Sequence, residues 1–259
     1  MMTRPVPGFF FPVAALLLLF GVIGPVVTVL LTVSPSEVVA AFSSPSATDA
    51  VRVSFAASLG ATAVATILGV PAGYWLARVR PRVSAPILFL LAMPLAFPPV
   101  ASGIMLLYVL GDRAPVGAFL ASHGLGVADT ILGVGAAEFF VSGSFVTIAA
   151  TAAFATLNPI YEDAARTLGV SEWRIFFGVS LPAVASNVAA GVAFAWLRAI
   201  GEYGATSIVA YHPTSLPVAL YVALSASGVR TALALSYGFI VLAAVVLAGQ
   251  WVLRRRVVV

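Results

Sequence analysis

Six stretches of this chain, Phe9–Val33, Val53–Ala77, Val83–Leu110, Ile131–Leu157, Ala183–Ala210 and Thr231–Leu253, carry only three charged residues between them, Glu138, Arg198 and Glu202. A helix that crosses the hydrocarbon core of a bilayer needs about 20 consecutive apolar residues, and each stretch is long enough. In lipid a span must bond its own backbone polar groups, which uninterrupted apolar runs achieve as helices. Charged residues make up 8% of the chain, against about 25% in soluble domains, too few to cover an aqueous surface. The expected fold is an all-α integral membrane protein of six transmembrane helices. The first stretch also admits a reading as a cleavable leader. Its uncharged run exceeds the roughly 7–15-residue apolar core of such leaders, so a retained helix is expected.

Arginine placement orients these spans. All thirteen basic residues are Arg, with no Lys and no Cys in the chain. With the N-terminus inside, the inner segments hold Arg4, Arg78, Arg80, Arg82, Arg166, Arg174, Arg254, Arg255 and Arg256. The outer loops hold Arg52, Arg113 and Arg230, and Arg198 lies inside a span. The positive-inside bias then places both termini, and the segment 158–182, in the cytoplasm beneath a plasma (inner) membrane. Three regions follow: 1–52, the first helix and a Ser/Pro-rich outer connector; 53–253, a five-span core; and 254–259, a basic cytoplasmic tail. Without Lys there is no phosphate-cradling Walker loop, so any ATP-derived energy must come from a partner. Without Cys there is no thiolate chemistry, and His123 and His212 lack ligand spacing, so no metal or cofactor is expected. The basic residues flank apolar spans, which points to membrane lipid and not to nucleic acid as the surrounding partner.

The segment 158–182 is the one long polar insert between spans. Asn158-Pro159 suits a helix start, and Glu162 and Asp163 fall in the first turn, where carboxylates favour the helix dipole. Ala164 and Ala165 continue the helix, Gly169 allows a left-handed exit, and Ser171 is placed to cap a second short helix over Glu172–Phe177. Trp173, Arg174, Phe176 and Phe177 are bulky for a polar loop. They either pack against the spans or fill a groove on a partner, as aromatic and Arg anchors do.

Two spans carry features that a plain spanning helix avoids. Pro94, Pro98 and Pro99 interrupt the third, and each removes a backbone donor. Freed carbonyls at membrane depth are tolerated where protein or water satisfies them, so the break, with Ser102 and Gly103 just beyond, marks either a pathway-lining span or a kinked helix. In the fifth, Arg198 and Glu202 share a face four residues apart, beside Gly201, Gly204 and Thr206. Charges there are costly, so the pair is either a structural ion pair or part of a gate. Glu138 in the fourth span is expected to be hydrogen-bonded or paired. The run Ser142-Gly143-Ser144 reads as small-residue helix packing.

These residues resemble a known family. ABC-importer permeases carry a Glu-Ala-Ala motif, three residues, Gly, nine residues, Ile, one residue and Leu-Pro. Here Asp163-Ala164-Ala165 is followed by Gly169, Val179, Leu181 and Pro182, with Asp for Glu and Val for Ile. The segments from Pro94 to Gly103 and from Arg198 to Thr206, with Leu216-Pro217 and Leu220-Tyr221, resemble the molybdate/tungstate/sulfate branch. Tyr203 and Glu138 depart from its usual Phe and Gln. The resemblance implies a type I importer permease whose 158–182 loop is a coupling loop docking a cytoplasmic ATPase through Glu162, Asp163, Ala164, Ala165, Gly169, Trp173, Arg174, Phe176, Leu181 and Pro182. It implies a second permease subunit (a homodimer rather than a heterodimer), two cytoplasmic ATPases and an extracytoplasmic substrate-binding protein. The pathway and gate would involve Pro98, Pro99, Ser102, Arg198, Gly201, Glu202, Gly204 and Thr206. Within the family, phosphate, iron, thiamine and polyamines are alternative cargoes. An ion-coupled secondary transporter using Glu138, Glu202 and Arg198 is the rival from another class, although it leaves the polar insert without a purpose.

Overall fold

A computed structural model describes residues 9–257, with side chains through Val252. Arg4 lies outside the described residues, as do the side chains of the 254–259 tail. The described chain is helical throughout, in the order α1 (Phe10–Thr32), α2 (Pro35–Phe42), α3 (Pro45–Arg78), α4 (Pro81–Ala96), α5 (Pro99–Leu110), α6 (Pro115–Ser122), α7 (Ile131–Ala155), α8 (Ile160–Thr167), α9 (Glu172–Ile175), a π-helical turn (Phe176–Ser180), α10 (Leu181–Ile200), α11 (Gly204–Val209), α12 (Leu216–Ser227) and α13 (Val229–Val257). Prolines punctuate it: Pro35, Pro45, Pro81, Pro99, Pro115 and Pro217 each sit in a first helical turn. There the missing N–H costs nothing and the fixed φ is already helical.

Among the described residues five helices are long and apolar enough to cross a membrane, and six if α4 and α5 form one broken span. That pair bends by 110° between Ala96 and Pro99. The third stretch is thus not one rod, and the proline cluster is where it breaks. The connector after the first span is itself helical. Ser34 and Glu37 form a capping box on α2, and α3 begins at Pro45, well ahead of the apolar run it carries.

The core is the pairing of α3 with α7, closed by α10. It is built on small residues: a Cβ added at Gly73 would stand 2.6 Å from Ala150 Cβ, and one at Gly191 would collide with Ala149 Cβ. Close backbone approach of this kind drives helix association where lipid removes the hydrophobic incentive. Polar side chains inside this bundle bond across helices: Trp196 Nε1 donates to Ser58 Oγ at 2.9 Å, and the Leu216 amide donates to Ser54 Oγ at 2.7 Å. By contrast, α1 is exposed along its length. It is tethered at its end by the Tyr237 hydroxyl, which donates to the carbonyls of Leu30 and Val33.

The fifth stretch also departs from expectation. Helix α10 stops at Ile200, the chain turns through Gly201–Tyr203, and α11 begins at Gly204. In the other direction α9, the π turn and α10 follow without interruption from Glu172 to Ile200. The short helix expected over Glu172–Phe177 is therefore the leading end of the fifth span. The π turn buries Phe176 and Ser180 and leaves the rod unbroken.

Candidate functional site

The segment 158–182 forms an elbow of two helices against the C-terminal ends of α3 and α7. Asn158 Oδ1 accepts from the Ile160 amide at 3.1 Å and starts α8. Gly169 ends it with φ +75°. The Gly169 amide donates to the Arg166 carbonyl and the Val170 amide to the Ala165 carbonyl, a left-handed exit that a residue with a Cβ disfavours. Arg166 braces the outside of the elbow, bonding Asp163 at 2.8 Å and Glu172 at 2.7 Å.

The residues expected at a docking surface divide into two groups. Trp173 is 70% exposed and stacks on Phe177, itself 60% exposed, with ring centroids 6.0 Å apart and planes 15° from parallel. Leu168, just before the elbow glycine, is 83% exposed. Asp163, Ala164, Gly169, Arg174 and Pro182 are also exposed, and Ala165 and Leu181 half-buried. Phe176 turns inward, packing on Tyr74 and Phe154 at ring-centroid distances of 5.1 and 6.0 Å.

Glu162 is completely buried. The Arg78 guanidinium, from the end of α3, grips it with two bonds, Nε to Oε2 at 2.8 Å and Nη2 to Oε1 at 2.7 Å. The Ser180 hydroxyl donates to Oε1 at 2.7 Å, and Arg78 Nη1 also donates to the Phe154 carbonyl at 3.0 Å. Burial pushes the Glu162 carboxyl up, but the hydrogen bonds from Arg78 and Ser180 and the Arg78 charge outweigh it and hold the group below its ordinary value. The tie is thus complete at neutral pH and is lost only as acid carries the pH down through that lowered value. Sequence reasoning missed Arg78 and Ser180 as partners, and it missed Leu168. Arg78 carried no signal beyond its place at a span end, whereas a large apolar residue beside an elbow glycine was visible.

The second constellation lies at the two breaks. Pro99 opens α5 against α11: a Cβ on Gly204 would stand 2.5 Å from Pro99 Cβ, and one on Gly103 2.7 Å from Ile208 Cβ. Glycine is required at both positions for this crossing. Arg198 Nη1 bonds Glu202 Oε2 at 2.6 Å, while the Ala205 amide donates to Glu202 Oε1 at 2.8 Å. Glu202, buried, therefore caps α11 as well as pairing with Arg198. A cleft of about 180 Å³ opens at the bend, lined by Pro94, Phe97, Pro99, Ser102, Phe145 and Arg198 among others. Arg198 is its one cation. Pro98 is exposed and Ser102 buried, Gly201 ends α10 on an exposed turn, and Thr206 is buried with its Oγ1 unbonded.

Glu138 departs from the expectation of a paired interior carboxylate. It is buried in α7, and neither carboxyl oxygen has a hydrogen-bond partner. A charge held that way is costly. Glu138→Gln, which keeps the shape without an ionisable group, is expected to leave the melting temperature of the solubilised protein unchanged or raised. A lower one would mean that the carboxylate is held by something the geometry does not contain.

Comparison with known proteins places this geometry. Residues 69–257 match the family described as binding-protein-dependent transport system inner membrane component. A relative from Haloferax volcanii, named for molybdenum ABC transport as a permease, is 37% identical over 171 residues, 66% of this chain and 62% of its own length. The molybdenum transport system permease protein ModB of Mycobacterium tuberculosis is 32% identical over 229 residues, 87% of this chain and 86% of its own. Others carry names for molybdate/tungstate and sulfate transport. Among solved structures, a bacterial ABC transporter that imports the acidic polysaccharide alginate superposes with a TM-score of 0.65 over 95% of this chain and 93% of that one, at 16% identity. That likeness establishes the fold, an ABC-importer permease bundle.

Proposed function

The chain belongs to the binding-protein-dependent transport system inner membrane components, and from that membership we propose a permease subunit that carries a small oxyanion (molybdate, tungstate or sulfate) inward at the expense of ATP hydrolysed by a partner. The observation that carries this reading is the elbow 158–182: an ordered helical hairpin, locked to the core by Glu162, that presents Leu168, Trp173 and Phe177 to the exterior of the bundle. Exposed aromatic residues around a rigid support are the anatomy of an interface anchor. We assign them to a groove on a cytoplasmic ATPase, with two such ATPases serving two copies of this permease. An extracytoplasmic binding protein delivers the anion.

The pathway follows the breaks in the third and fifth spans. There Arg198 faces the cleft among apolar walls, so an anion meets one cation half neutralised by Glu202. Such a station binds weakly, as a passage should, and leaves selection to the delivering protein. The region 53–253 is the transport core, with both termini and the elbow in the cytoplasm.

The reading is tested on sidedness and cargo together. The chain has no Cys, so Leu168→Cys provides a single thiol for a membrane-impermeant reagent, and modification is expected from the cytoplasmic face alone. Vesicles that hold the permease and its co-expressed ATPase with the ATPase face in the lumen are expected to accumulate molybdate, supplied outside with the binding protein, only when ATP is trapped inside. Labelling from the outer face, or uptake that persists without any ATPase, would favour the ion-coupled alternative instead.

A further inference from the structure

We propose that Arg78 is the positioning residue through which the docking elbow moves the membrane-spanning core, tying it to α3 and α7 as well as to α10. The proposal rests on the assignment of the elbow to an ATPase and names the part that transmits the motion.

By covalent connection alone the elbow is attached to α7 through Asn158-Pro159 and to α10 through the π turn. Neither joins it to α3, whose last residue is Arg78. The Arg78 side chain makes that join. It bonds the carboxylate of Glu162 on α8 through two nitrogens and the last-turn carbonyl of Phe154 on α7 through the third. Ser180, at the head of α10, bonds the same carboxylate. Three elements, α3, α8 and the head of α10, therefore meet on one buried carboxylate, with α7 joined through Arg78, and the planar guanidinium fixes its orientation as a flexible ammonium does not. Tyr74 and Phe154, in edge-on contact at 5.2 Å, close the node from the core side, and Arg78 lies over the Tyr74 ring at 5.4 Å. Arg80 and Arg82, two and four residues further on, are exposed. They serve as topology anchors, whereas Arg78 is removed from that role by its geometry. A node of this kind lets rigid bodies move together and not slide past one another, which is what a domain-closure mechanism requires of its coupling element.

The test uses the assembled complex in lipid nanodiscs and proteoliposomes, with the ratio of anion imported to ATP hydrolysed as its readout. Arg78→Gln and Glu162→Gln are each expected to lower that ratio about tenfold, within the range of site-to-site couplings, while the ATPase stays bound. The double variant is expected to be no worse than either single one, since both remove the same link. Ser180→Ala, which keeps the Arg78–Glu162 pair, is expected to shift the ratio in the same direction by a smaller factor, and it covers the case in which the two charge variants fail to fold. Wild-type ratios in these variants, or a double variant as poor as the product of the singles, would overturn the role of Arg78. A wild-type chain that retains no ATPase would instead overturn the docking assignment on which it rests.

Discussion

Arg198→Ala is expected to abolish transport and to destabilise the protein by about 1–3 kcal/mol, the cost of leaving a buried acceptor without its partner, since Glu202 is buried while the Arg198 side chain is 35% exposed. Glu202 is buried and holds two bonds, one to Arg198 at 2.6 Å and one from the Ala205 amide. Without the guanidinium its second oxygen faces an apolar interior as an uncompensated charge. The loss propagates because the same carboxylate starts α11, which packs through Gly204 on Pro99 and so holds the bend of the third span. The paired replacement Arg198→Gln with Glu202→Gln separates the two roles. Gln at 202 still accepts from the Ala205 amide, and no charge is left buried, so the melting temperature in nanodiscs is expected to recover. Uptake is not, because the cleft then has no cation. Full uptake by the double variant would make the pair purely structural.

The second large effect concerns the elbow. Gly169→Pro is expected to uncouple the complex: Gly169 sits at φ +75°, and the proline ring holds φ near about −65°. The left-handed exit and its two closing hydrogen bonds cannot form, so α8 and α9 lose the angle that presents Leu168 and Trp173 together. Trp173→Ala tests the contact itself without disturbing the fold, because its ring is exposed and packs mainly on Phe177. Truncating an aromatic anchor costs about 2 kcal/mol or more of binding, roughly 30-fold in affinity. ATPase recovery on purification and substrate-stimulated ATP hydrolysis are both expected to fall, while thermal stability of the isolated Trp173→Ala permease stays at its wild-type value. Retention of the ATPase at wild-type strength in both variants would remove the elbow from the interface.

Much of this was legible in the residues. The apolar runs announced the spans, the proline cluster announced the break that appears as a 110° bend, and the spacing from Asp163 to Pro182 announced the elbow with its left-handed glycine. These are local or periodic properties, and backbone hydrogen bonding in lipid leaves little latitude in how they are expressed. The split of the fifth stretch at Gly201 was less legible, since Gly201 and Gly204 read equally well as packing sites within one helix. What decided it was the cap that Glu202 places on α11.

Two carboxylates mark the boundary most clearly. Glu162 has the sequence setting of a surface residue, in the first turn of a polar helix, yet it is wholly buried because Arg78, eighty-four positions earlier, meets it there. Glu138 has the setting of a residue that must find a partner, and its burial within the helix bundle leaves it none among the described residues. Composition and spacing determined on their own that this chain is an all-helical membrane protein of five or six spans with an elbow between its fourth and fifth apolar stretches. Which face of the elbow turns inward, and which charges find each other, was decided by contacts between segments far apart in the chain, whose energies no local pattern carries.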